Sequence, residues 1–295
     1  MTVEVTGLPN GIRVVTHAMP HLESVAIGLW IGAGARSETP QEHGISHLLE
    51  HMAFKGTERR SARDIAEQIE AVGGDMNAET NVEYTNYYLR LLKDDVALGL
   101  DVLGDVVCNP KLDAEELALE QHVIVQEIGA AQDVPEDWVF ELFQESAFPD
   151  QAMGRSVLGT PETVRAHTPA DLRRYLNHHY CTPQAVIAGA GNLDHSEVVR
   201  LAEEHFKGLS SRAPAPHEAA NYRGGQWTEA RPIQEAQILL GFTAPAFRDA
   251  KAPACHVFSA VLGGGMASRL FQELRENRGL CYSINSFYWP YLDAG

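Results

Sequence analysis

Residues 24–35, SVAIGLWIGAGA, and residues 235–246, EAQILLGFTAPA, are two versions of one pattern: a β-rich apolar run that closes on small residues. Each is followed by segments of helical spacing and then by an aromatic, β-branched run. These are 39–57, 61–74 and 83–92 after the first run, and 253–265, 268–279 and 280–289 after the second. With its strands and helices segregated the chain reads as α+β, and the weak internal duplication adds the expectation of two homologous domains, each a mostly antiparallel sheet packed with helices. The stretch GLSSRAPAPHEAA (208–220), rich in Ser, Pro and Ala, reads as a linker and divides the chain into units 1–212 and 213–295. The second unit is the shorter, and is expected to be a truncated copy of the first.

Caps and spacing place the helices of the first unit. Thr39, with Pro40 after it and Glu42 three residues on, is a candidate helix start, and Gly56 a candidate stop. SARDIAEQIEAVGG (61–74) opens on a Ser-x-x-Asp cap. DAEELALEQHVIVQEIGAAQ (113–132) opens on Asp113 and meets no glycine until Gly129, so it predicts a long helix. Further helices are expected at 96–107, 136–147, 169–178 and 195–206, and strands at 83–92 and 184–191.

The formal charge of −17 excludes phosphate-backbone binding, which needs clustered Lys and Arg. Cys108, Cys181, Cys255 and Cys281 are far apart and form no disulfide framework or CxxC pair. The opening residues carry neither a secretory nor a transit signal, and no segment is long and apolar enough to span a membrane, so a cytoplasmic location is expected.

Within ISHLLEHMA the spacing His47, Glu50, His51 puts two imidazoles four residues apart on one helical face, with Glu50 a turn from His47. Ile45, Leu48, Leu49 and Met52 form the apolar side that anchors the helix. In a chain of this composition H-x-x-E-H arises by chance roughly 0.05 times, so the spacing alone does not make a site. A catalytic zinc takes three protein ligands and leaves one position open. Glu120 and Glu127, two turns apart on the long helix, are the carboxylates placed to meet the first helix. Without the histidines they would read as a solvated acidic face. The second copy of the repeat has Val257, Ala260 and Val261 where the first has His47, Glu50 and His51, so metal chemistry is confined to the first.

These residues resemble the inverzincins, the zinc peptidases that include pitrilysin, insulin-degrading enzyme and mitochondrial processing peptidase, whose H-x-x-E-H inverts the commoner H-E-x-x-H. The resemblance runs over essentially the whole chain and is strongest to the bacterial processing-peptidase-like subtype, to which LGGGMASRLF (262–271) is similar. It implies one Zn²⁺ per chain, held by His47, His51 and Glu127, the last separated from His51 by 75 residues. It implies that Glu50 is the general base and that Glu120 has a functional role outside the ligand set. It places Arg275 and Tyr282 of LRENRGLCY opposite the metal, and assigns Asn77 and Ala78 of GGDMNAET to a sheet edge that pairs with an extended peptide. It also implies a homodimer or a heterodimer with a related subunit.

The expectation is therefore a zinc-dependent endopeptidase. The alternative is a non-catalytic assembly subunit of the same fold, like the respiratory bc1 core proteins. The filled catalytic positions weigh against it. A structural zinc protein would need a closed four-ligand shell. His43 and His122 are out of phase with the motif and are expected in surface or cap roles, and the adjacent His178 and His179 cannot share a helical face.

Overall fold

The computed structural model describes residues 3–214 and 216–295. Its centre is one six-stranded mixed sheet in the order β1-β2-β6-β3-β5-β4. The strands are β1 (Val3–Gly7), β2 (Arg13–Ala18), β3 (Ser24–Ile31), β4 (Asp75–Thr80), β5 (Thr85–Leu92) and β6 (Ala185–Gly191). All neighbours run antiparallel except β2 and β6. β3 is apolar at nearly every position because it lies inside the sheet, paired on one side to β5 and on the other to β6. β4 is an edge strand.

The helices are α1 (Ile45–Ala53), α2 (Ala62–Glu70), α3 (Val96–Cys108), α4 (Ala114–Asp133), α5 (Pro135–Ala147), α6 (Pro161–Ala166), α7 (Pro169–His179), α8 (His195–His205) and α9 (Ala252–Gly263), with a π-helical turn at Phe271–Asn277. The expected capping box forms at α2, where Ser61 Oγ accepts from the Asp64 N–H; a further one closes α7, where Thr168 does the same for Asp171. Asp113 starts α4 by accepting from the N–H groups of Glu115 and Glu116. Ile45, Leu48, Leu49 and Met52 of α1 are at most 1% exposed and join β3, β5 and α3 in a single core. Each such side chain contributes about 1.5–3 kcal/mol of burial. No helix among the described residues is long and apolar enough to cross a membrane.

Two sequence expectations change. The Thr39–Glu42 box exists, but it closes a separate 3₁₀ turn at Pro40–Glu42. Helix α1 begins only at Ile45, because Gly44 adopts φ 86° and breaks the run. A Cβ at Gly44 would also lie 2.8 Å from Gly159 Cα. In the second unit the helices at 253–265 and 268–279 appear as α9 and the π-helical turn, but 235–246 and 280–289 form no ladder among the described residues. A strand exists only through its neighbour, and Ile238, Leu240 and Phe242 are 78–84% exposed with no paired strand beside them.

Candidate metal centre

Helix α1 packs against α4, α7 and β4, which turns its polar stripe toward α4. Its entrance is fixed by a residue the sequence reading passed over. The buried Glu38 carboxylate accepts from the N–H of Gly44 and of Ser46, both at 2.9 Å, and so satisfies donors at the start of α1. Burial pushes this carboxyl up to about 7 against the pull of those hydrogen bonds. Arg155 donates to the Glu38 backbone carbonyl, and Ser46 Oγ is 2.8 Å from the Tyr175 hydroxyl. The cap acts across a left-handed turn, so its only sequence trace is an acidic residue six and eight positions before the groups it binds.

Along the stripe, His47 Nε2 and His51 Nε2 both face Glu127 Oε2, at 3.8 and 3.7 Å. The donor atoms of His47, His51 and Glu127 all lie within 4.8 Å of one another, and among the described residues they are the one His/Cys/Asp/Glu group so placed. Those gaps are too long for hydrogen bonds. Ligands about 2.1 Å from a tetrahedral zinc stand roughly 3.4 Å apart, and the two histidine–carboxylate spacings lie a few tenths of an ångström above that value. The free cysteines Cys108 and Cys181 are buried elsewhere, and no thiolate closes the set. Burial holds His47 at about 4, with His51 adding in the same direction, so its imidazole is neutral and free to ligate.

His51 uses its other nitrogen. Nδ1 is 3.0 Å from Glu120 Oε2, and Glu120 Oε1 is 2.7 Å from Lys55 Nζ. An ionised carboxylate only accepts, so Nδ1 carries the hydrogen and Nε2 keeps its lone pair toward Glu127. Burial alone would raise the Glu120 carboxyl, but hydrogen bonds from Lys55 and His51 outweigh it and hold it low. Glu50 lies on the same stripe with Oε2 buried and, among the described residues, without a hydrogen-bond partner. Burial raises its carboxyl, Glu79 and Glu127 add to the rise, and Thr80 and His51 oppose it.

Asn77 and Ala78 lie on edge strand β4, beside α1, and the Ala78 N–H is engaged by Asn77 Oδ1 at 2.9 Å. Arg275 and Tyr282 are neighbours, with the guanidinium carbon 5.6 Å from the tyrosine ring centre. The Tyr282 side chain is 86% exposed. Among the described residues no hydrogen bond or ion pair joins either of them to His47, Glu50, His51 or Glu127. The structure thus gathers four of the expected residues into one cluster with Glu120 behind it, and pairs Arg275 with Tyr282. His43 bonds to the Ser156 carbonyl and His179 packs on Tyr175.

Residues 13–161 match the family described as Insulinase (Peptidase family M16), and residues 166–295 match the Peptidase M16 inactive domain. An uncharacterized zinc protease of Streptomyces coelicolor is 42% identical over 303 residues, covering 100% of this chain and 66% of the relative. Another from Bacillus subtilis is 38% identical over 287 residues, covering 97% and 70%. This chain therefore spans about two thirds of the length of such relatives. Among solved structures, a protease from Helicobacter pylori superposes with TM-score 0.87 at 21% identity, covering 100% of this chain and 73% of that one. A peptidase M16 inactive domain from Pseudomonas fluorescens gives 0.86 at 19%, covering 99% and 72%. At such identities these two carry the fold alone.

Proposed function

From the premise that this chain belongs to the insulinase family of peptidases, M16, we propose that it is a zinc-dependent endopeptidase acting on extended peptide segments. The observation that carries the reading is the convergence of His47 Nε2, His51 Nε2 and Glu127 on one point, beside an unpartnered Glu50 oxygen. Unit 1–212 then supplies the zinc and unit 213–295 contributes substrate-side residues.

His47, His51 and Glu127 would hold one Zn²⁺. When bound, such an ion would lower the pKa of a coordinated water toward about 7 and polarise a carbonyl. The protein's residues do the rest. Glu50, outside the ligand set and raised by burial, accepts a proton from the attacking water and returns it to the leaving amine. Glu120 holds His51 in its ligating tautomer. The outer edge of β4 at Asn77 and Ala78 receives the peptide as an added strand, whose carbonyl takes over the Ala78 N–H from Asn77 Oδ1. Arg275 and Tyr282 donate to the scissile carbonyl oxygen as negative charge builds there.

The non-catalytic assembly reading requires none of these positions to be filled, and here all are. The test is hydrolysis of internally quenched peptides with and without chelator, by the wild type and by Glu50→Gln. The wild type is expected to cleave in a chelator-sensitive way. Glu50→Gln should keep its zinc and lose on the order of 10²- to 10⁴-fold in turnover. Undiminished cleavage by a zinc-loaded Glu50→Gln protein would remove the general base from the mechanism.

A further inference from the structure

We infer that Lys55 is a positioning residue for the zinc ligands: its ammonium pins the Glu120 carboxylate in the one orientation that keeps His51 turned toward His47 and Glu127. The inference rests on the zinc reading above and adds to it a residue that lies outside the H-x-x-E-H motif.

The carboxylate of Glu120 is held at both ends. Oε1 takes Lys55 Nζ at 2.7 Å and Oε2 takes His51 Nδ1 at 3.0 Å. With both oxygens engaged, rotation about the terminal bond of Glu120 is blocked, and the imidazole plane of His51 follows. The Glu120 side chain is 8% exposed, so neither bond is easily exchanged for water. Electrostatics point the same way. Glu50, Glu120 and Glu127 crowd the two histidines, with Glu79 close enough to Glu50 to repel its charge. Among the described residues Lys55 is the lysine or arginine within ion-pairing distance of any of these four.

The lysine is itself placed by a pinned turn. Its N–H donates to the Met52 carbonyl as α1 ends, and the next residue, Gly56, has φ 109° and accepts from the Lys111 N–H at 2.9 Å. Thr57 then anchors the segment to α3 through its hydroxyl, 2.7 Å from Asp105 Oδ2. Arg60, paired to both Asp101 and Asp105, completes the clamp. A surface lysine joined to a glutamate in passing has no such frame. A pair of that passing kind stabilises little and does so whether or not a ligand is bound.

The measurement is zinc affinity, read by competition between the protein and a fluorescent zinc chelator, alongside the melting temperature of the metal-free protein. Removing the direct partner of a ligating histidine weakens metal binding by about 10- to 100-fold. Lys55→Met, one link further out, is expected to weaken zinc by about tenfold, and Lys55→Arg to restore most of it. The metal-free melting temperature should stay near that of the wild type. In a Glu120→Gln background Lys55→Met should add nothing, because the carboxylate it positions is gone. Lys55→Gln serves as the second neutral variant should Lys55→Met fold poorly.

Zinc affinity within twofold of wild type in both neutral variants would overturn the inference and leave the zinc site standing. So would an equal loss in the Glu120→Gln background, or one matched by a fall in metal-free stability. A wild-type protein that takes up no zinc removable by His47→Ala would instead overturn the zinc reading itself, and the role of Lys55 with it.

Discussion

Helices α1 and α9 occupy equivalent places in the two halves of the repeat, yet they bury opposite things. In α1 the apolar side is at most 1% exposed, and the polar stripe meets α4. In α9 the residues matching His47 and His51 are Val257 and Val261, 65% and 55% exposed. Its buried positions are small or polar: Ala252, Ser259 and Gly263. Its neighbours are the extended residues near Ser286, through the Ser286 N–H to the Gly263 carbonyl and a Ser259–Ser286 hydroxyl contact of 3.0 Å. The difference teaches that a two-histidine helix is half a site. The other half is α4, which brings Glu127 within 3.8 Å of both imidazoles and Glu120 to the back of His51.

The sharpest way to break that comparison is to remove the contribution of α4. Glu127→Ala should lose its zinc on dialysis, measured by metal analysis, and peptide hydrolysis should fall to background. The converse is as informative. Placing the motif on α9, with Val257→His, Ala260→Glu and Val261→His together, should leave the stoichiometry at one zinc per chain. A second tightly bound ion there would mean that the helix alone suffices.

Next in size is the contrast in packing. Leu48→Ala, at a fully buried site of α1, should cost about 2–5 kcal/mol in denaturant unfolding. Tyr282→Phe tests the catalytic part assigned to the second unit. Metal content should be unchanged and turnover about 10²-fold lower, comparable with losing one oxyanion donor. The smallest effect is expected at Phe242, 84% exposed, where Ala should shift stability by less than about 0.5 kcal/mol. A large loss there would show that 235–246 packs in solution as its counterpart β3 does.

Much of the first half was legible because its signals are local. The caps at Ser61 and Asp113 act within three residues, and the helical spacing of His47, Glu50 and His51 is a property of one element. The alignment of Glu120 and Glu127 was legible for the same reason, both lying on α4. What was hidden depends on contacts between elements. Glu38 reaches α1 around the left-handed Gly44, and Lys55 meets Glu120 only because α1 and α4 pack together. The apolar run at 235–246 has the composition of a strand but forms no ladder among the described residues, since pairing is supplied by a neighbour and not by propensity.

The most direct test of the centre is X-ray absorption at the zinc edge on the metal-loaded protein. Expected is a first shell of two imidazole nitrogens and carboxylate or water oxygen at about 2.0–2.2 Å, with no sulfur at 2.3 Å. The imidazole scattering should drop by half in His47→Ala protein reloaded with excess zinc. A sulfur-containing shell, or a spectrum unaltered by that substitution, would contradict a zinc ion gripped by His47, His51 and Glu127.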